Sequence, residues 1–153
     1  MNTYQKVAES NMIEGILRKP TMEELKEHDR FMQLKEVSIA DIERFVGIYQ
    51  PDARLRSEPG LDIHIGSFTP PPGGPQIMEL LQNLVDTVNR GFVNAVRAHH
   101  RYETLHPFTD GNGRSGRVIW YWMMQRDYQF TNADELGFLH TFYYQTLQMG
   151  EPY

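Results

Sequence analysis

The 153 residues are enough for one domain with a substantial core and too few for two comfortable ones. The absence of cysteine excludes a disulfide framework and a zinc–thiolate site, and a net charge of −5, with fifteen Lys and Arg scattered among twenty acids, argues against duplex nucleic acid as a partner. No apolar run approaches the roughly 20 residues that span a bilayer, and residues 1–6 lack the apolar stretch of a secretory signal, so a cytoplasmic protein with no membrane partner is expected.

In chain order the pattern is helical. Residues 3–17 read as a first helix with Val7, Met12, Ile13 and Ile16 on its buried side. Thr21-Met22-Glu23-Glu24 is a capping box, in which the Thr oxygen and the Glu three positions on each satisfy a free amide. The helix it opens is expected to bury Leu25 and Met32. Ser38-Ile39-Ala40-Asp41 repeats the start signal, and Ile42, Phe45, Val46 and Tyr49 form an apolar stripe.

Residues 55–68 differ. Pro59-Gly60 followed by alternation at Ile63 and Ile65 suits a short hairpin, and the prolines of residues 70–75 end it, since they lack the donor for a ladder. This stretch reads as a rigid connector within one domain. Helix returns with Ile77, Leu80, Leu81, Leu84, Val85 and Val88, an amphipathic stripe. Another helix is predicted from about Phe92 to Leu105, where His106-Pro107 stops it. Residues 118–124 are apolar nearly all round and read as a central buried helix. Thr131 or Asn132 is expected to cap the last helix, with Leu136, Leu139, Tyr143 and Leu147 on its packed side. The fold class is all-α, a helical bundle with one small β-hairpin.

Residues 106–117, His-Pro-Phe-Thr-Asp-Gly-Asn-Gly-Arg-Ser-Gly-Arg, join two predicted helices. They form a loop running into a helix N-terminus, where free amides and the dipole favour an anion. Gly111 and Gly113 let the backbone curl closely around a ligand. Arg114 and Arg117, three apart, can fork around phosphate oxygens. Asp110 could hold Mg²⁺, which prefers a carboxylate together with substrate phosphates. His106 is suited to taking a proton from a hydroxyl near neutral pH. Together these groups describe phosphoryl or nucleotidyl transfer.

The segment resembles the signature of Fic-domain enzymes, His-x-Phe-x-Asp/Glu-Gly-Asn-Gly-Arg-x-x-Arg, at all eight fixed positions. A chance match at any one position is of order 10⁻¹¹ at average residue frequencies. The resemblance covers roughly residues 40–150 and implies an all-α Fic-type bundle with a hairpin flap. It also implies an activity, transfer of AMP from ATP to a Tyr, Ser or Thr hydroxyl of a target protein, the chain itself being one candidate. In that case His106 is the general base, Phe108 anchors the loop, Asp110 is the Mg²⁺ ligand, and Asn112 with the amides around Gly111 and Gly113 cradles the phosphates. Arg114 would hold the β-phosphate and Arg117 the γ-phosphate. The flap, at Ile63, His64, Ile65, Gly66, Ser67 and Phe68, would pair with an extended target segment. By the same resemblance Tyr144, or Tyr143, would contact adenine, and relatives often form homodimers.

Ser10-Asn11-Met12-Ile13-Glu14-Gly15 resembles the inhibitory motif of the same family, with Ser10 and Glu14 one turn apart on one helical face. The implied role for Glu14 is to pair with Arg117 and keep it from the γ-phosphate. The implied organisation is an inhibitory helix in residues 1–20 packed on a Fic domain of residues 21–153, one compact unit. Two other readings stand beside AMP transfer: removal of AMP, with Glu14 activating water, and a catalytically silent module that keeps the fold for binding.

Overall fold

The computed structural model describes residues 1–128 and 132–149, and among them seven α-helices: α1 (Thr3–Ile13), α2 (Met22–Met32), α3 (Ile39–Tyr49), α4 (Pro75–Asn89), α5 (Ala95–Leu105), α6 (Asn112–Tyr128) and α7 (Asn132–Met149). None of the described helices is long and apolar enough to cross a membrane. The centre is α6. Residues 118–124 are buried on every face, because α6 is packed by α1, α2, α3, α5 and α7.

Local chemistry sets the helix ends. Asn2 and Gln5 cap α1 reciprocally, as Thr21 and Glu24 cap α2 and Ser38 and Asp41 cap α3. The first helix stops at Ile13, short of the predicted residue 17, because Gly15 takes a φ of 78°. The Gly15 amide then donates to Met12 O at 2.9 Å and the Ile16 amide to Asn11 O at 3.0 Å, the paired bonds of a Schellman ending. That ending leaves Glu14 as the C-cap residue. It also corrects the predicted buried face: Val7 and Asn11 are buried, whereas Met12 is 52% exposed.

In α2, Leu25 and Met32 are only partly covered, and the buried positions are Glu24, Glu27, His28 and Phe31. The α3 stripe is buried as expected, with the Phe45 and Tyr49 rings stacked at 4.2 Å. In α4 the stripe is buried except for Leu80, which is exposed. The next helix begins at Ala95 rather than Phe92, since Asn94 caps it through the Arg97 amide at 2.9 Å. Phe92 is left on the surface.

The last helix departs most from expectation. Gly137, at φ 83° and ψ −177°, breaks α7 and resets its register. Behind the break the Phe138 amide donates to Glu9 Oε1 at 2.8 Å, so a carboxylate from α1 caps the second half of α7. Phe138 and Thr141 are therefore buried, while Leu139, Tyr143 and Leu147 face outward. Thr131 and the Leu136 side chain lie outside the described residues.

The expected hairpin is reduced to a single antiparallel bridge between Ile65 and Phe68, closed by two 2.9 Å backbone bonds around Gly66-Ser67. Gly66 has a φ of 57°, as the first central residue of such a turn requires. What fixes residues 55–74 is Arg56, which is fully buried. Its guanidinium donates to His106 O at 2.7 Å, Leu105 O at 2.9 Å, Leu61 O at 3.1 Å and Pro71 O at 2.8 Å. The Arg56 amide donates to Pro107 O at 2.8 Å. Arg56→Met would leave several buried carbonyls without a donor and is expected to cost about 2 kcal/mol of stability. A urea unfolding curve with a lowered midpoint and unchanged slope would bear this out, whereas an unmoved midpoint would refute it.

Candidate functional site

The site begins where α5 must stop. Pro107 disfavours helix for the residue before it, and His106 takes a left-handed conformation, φ 50° and ψ 64°, uncommon outside glycine. Its amide closes the last turn on Tyr102 O at 2.9 Å. Its ring Nδ1 lies 3.2 Å from Glu103 O. A carbonyl can only accept, so Nδ1 carries the proton and Nε2 is left with the lone pair. Burial pushes the His106 pKa below the ordinary range, Arg56 adds to this, and the Glu103 carbonyl opposes it. The ring is therefore neutral at pH 7.

From His106 the chain turns inward. Phe108 is buried and bridges to Leu55. The Asn112 side chain clamps this loop, accepting from the Phe108 amide at 2.9 Å and donating to Phe108 O at 2.8 Å. The Asn112 side chain is thus engaged in holding the loop, while the residue still lines the cleft at the start of α6. Asp110 is exposed at the loop tip, and one of its oxygens accepts from the Gly111 amide at 2.7 Å. Gly111, at φ 79°, makes the turn into α6, and a Cβ there would lie 3.3 Å from Val46. The first-turn amides of α6 have no intrahelical partner, and the helix dipole points its positive end at the same place. Tyr102 and Ser115 hydroxyls at 2.7 Å fasten α6 to α5.

Both arginines rise from this first stretch of α6 and both are buried. Arg114 donates to Tyr49 O at 3.1 Å and Gln50 Oε1 at 2.7 Å. Arg117 is held from α1: Nε donates to Ser10 Oγ at 2.8 Å, and Nη2 to Ser10 O at 3.0 Å and Glu14 Oε2 at 2.6 Å. The Phe138 ring lies beneath its guanidinium, 6.0 Å from the centroid. Glu14 covers the start of α6 closely enough that a Cβ on Gly113 would fall 2.5 Å from its Oε2.

A cleft of about 630 Å³ collects these groups: Glu14, His106, Asp110, Gly111, Asn112, Gly113, Arg114 and Arg117 all line it. Of the six flap residues, Ile65 lines the cleft and Phe68 lines a separate groove. Ile63 is partly covered, and His64, Gly66 and Ser67 are exposed. Tyr144 does not line the cleft; it is exposed, with its ring 4.8 Å from that of His140, and Tyr143 is exposed beside it. The larger groove, about 810 Å³ between the proline run and Leu80, Leu84 and Leu105, contains none of the loop's histidine, carboxylate or arginines. Gln50, His99 and Glu103 also line the cleft and were not foreseen. His99 and Glu103 stand seven and three residues before His106, a helical spacing that could have placed them on its side.

A family model described as the Fic/DOC family matches residues 22–124. Among curated proteins, a protein adenylyltransferase fic-1 of Caenorhabditis elegans is 35% identical over 115 residues, covering 66% of this chain and 20% of the relative. A protein of the same name from Caenorhabditis briggsae is 32% identical over 105 residues, 60% of this chain and 20% of the relative. The chain thus spans about a fifth of the length of these two relatives. The matched residues run from α2 into the buried stretch of α6, more than half the chain and the whole of the loop 106–117, and the chain belongs to the Fic/DOC family.

Proposed function

We propose that the chain transfers AMP from ATP to a hydroxyl of a protein target, and that Glu14 restrains the reaction. The observation that carries this is the His106 ring, held with Nδ1 3.2 Å from the Glu103 carbonyl so that Nε2 is left to bear the lone pair, in one cleft with a helix N-terminus and two buried arginines. Nε2 takes the proton of the target hydroxyl. The hydroxyl oxygen bonds to the α-phosphorus, the bond from that phosphorus to the bridging oxygen breaks, and pyrophosphate leaves. The amides of Gly113 and its neighbours meet the phosphates, Arg114 serves the β-phosphate, and Arg117 the γ-phosphate once Glu14 has gone. The Ile65–Phe68 turn, at the rim, offers an edge to an extended target segment.

The donor set fits Mg²⁺. Asp110 is a single exposed carboxylate beside the phosphate position, and Mg²⁺ takes one or two carboxylates and completes its shell with water and phosphate. Among the described residues no group of three His, Asp or Glu could hold an ion by itself. When bound with ATP, the ion would offset the negative charge of the phosphates.

Glu14→Gly protein incubated with Mg²⁺ and ATP labelled at either the α- or the γ-phosphorus tests this reading. Label from the α position alone should remain on protein. Protein labelled from the γ position would mean phosphate transfer instead, and loss of AMP from a modified protein without any transfer would mean the reverse reaction.

A further inference from the structure

We propose that His99 and Glu103 form a proton-accepting pair in the wall of the nucleotide cleft, which takes up a proton as the triphosphate binds. The two side chains stand one turn apart on α5 and both line the cleft with Arg114 and Arg117. His99 Nε2 lies 3.7 Å from Glu103 Oε1. Each of these atoms is shut off from solvent and has no hydrogen-bond partner. A ring nitrogen and a carboxylate oxygen that face one another in a buried place, too far apart for a hydrogen bond, are both left unsatisfied, and a single proton drawn between them supplies what both lack.

The surroundings hold the pair in place. The His99 ring packs against Phe138 and Phe142, at 5.2 and 5.1 Å between centroids. Glu103 Oε1 lies against α6, where a Cβ on Gly116 would approach it to 2.8 Å, so the missing side chain at 116 makes its room. The charges bearing on the pair come from known directions. Arg117 faces it from α6, Glu14 faces Glu103 from α1, and His100 adjoins His99 on α5 itself. From α7 come the Phe138 and Phe142 rings. α4 packs on another face of α5, where Leu81, Leu84, Ala98 and Tyr102 line one small apolar cavity.

These surroundings leave the pair poised. Burial raises the Glu103 carboxyl to about 7, with Arg117 opposing and Glu14 adding. Burial, then Arg117 and His100, push His99 down to about 3. Glu103 is therefore the group that gains the proton near neutral pH. A triphosphate entering the cleft adds negative charge and draws Arg117 towards itself, and both changes raise the proton affinity of Glu103. The proton comes from solvent and stays on Glu103, whose O–H can then hydrogen-bond to His99 Nε2. The bound nucleotide then meets a neutral carboxylic acid in place of a carboxylate. Affinity for the nucleotide should accordingly fall as the pH rises above 7, by at most about tenfold per unit.

The proposal rests on the nucleotide-site reading, and one experiment separates the two. Mg²⁺ with a non-hydrolysable ATP analogue is titrated calorimetrically into Glu14→Gly protein at pH 8, in two buffers of different ionisation enthalpy. Removing Glu14 excludes it as the acceptor. Uptake approaching about one proton per nucleotide is expected, and Glu103→Gln in the same background should abolish it while still binding. The affinity of the parent should fall between pH 6 and pH 8, and that of the Gln variant should stay level. Clear binding heat without proton uptake, or equal uptake in the Gln variant, would overturn the pair's role and leave the nucleotide site standing. A loss of affinity equal at both pH values in the Gln variant would mean that Glu103 only supports the fold. No binding heat in any of the proteins would overturn both readings.

Discussion

Replacing Glu14 by glycine is expected to raise AMP transfer between about ten- and a hundredfold, the size of a charge-assisted hydrogen bond of about 1.5–3 kcal/mol. Two effects combine. The carboxylate occupies Arg117 through the 2.6 Å bond, and it places a negative charge where the γ-phosphate would sit, over the start of α6. Its mount is firm: α1 is tied to α2 by the Thr3 hydroxyl donating to Asp29 at 2.7 Å, and to α7 by Glu9 accepting from the Phe138 amide. Glycine removes the charge without disturbing those ties. Initial rates over a range of ATP concentrations check it, with the gain expected in kcat because the arginine acts on how the phosphates are posed. An unchanged rate would remove Glu14 from the regulation and leave the catalytic loop intact.

His106→Ala, made in the Glu14→Gly background, is expected to reduce transfer by about 10²–10⁴-fold, the usual contribution of a positioned general base. Affinity for ATP should hardly change, since the assigned phosphate contacts come from α6 and not from this ring. The pH profile carries a second expectation. The base works when neutral, and burial lowers its pKa from the ordinary histidine value. Activity of the parent should therefore persist as pH falls through the range where an exposed histidine becomes protonated, and decline only below it. A profile that falls at the ordinary histidine value would contradict the buried, carbonyl-bound ring.

Much of this was legible in residue order, for identifiable physical reasons. Capping boxes are local, so Thr21–Glu24 and Ser38–Asp41 marked their helices correctly. The loop of residues 106–117 is contiguous, and its residues meet in one cleft because a single turn and one helix start carry nearly all of them. The contact of Glu14 with Arg117 was also anticipated, although it spans more than a hundred positions; the bonds from Arg117 to Ser10 were not.

What stayed hidden depended on distant partners or on backbone conformation. Arg56 reads as an ordinary surface arginine until the fold surrounds it with four carbonyls. The packed face of α7 was misjudged because Gly137 breaks the helical period, and the group that stabilises the break, Glu9, comes from the other end of the chain. Tyr144 offers an aromatic ring in the last helix, but that same break in register accompanies its outward position. Asn112 reads as one of the phosphate contacts, and residue order does not show that its side chain also clamps the backbone of its own loop.

The central claim is that one loop transfers AMP and one glutamate restrains it. Its most direct test is label transfer from ATP marked at the α-phosphorus, with Mg²⁺, in wild type, Glu14→Gly and Glu14→Gly/His106→Ala side by side. The expected result is a trace in wild type, strong labelling in Glu14→Gly and none above background in the double variant. Strong labelling that survives the loss of His106 would contradict the account.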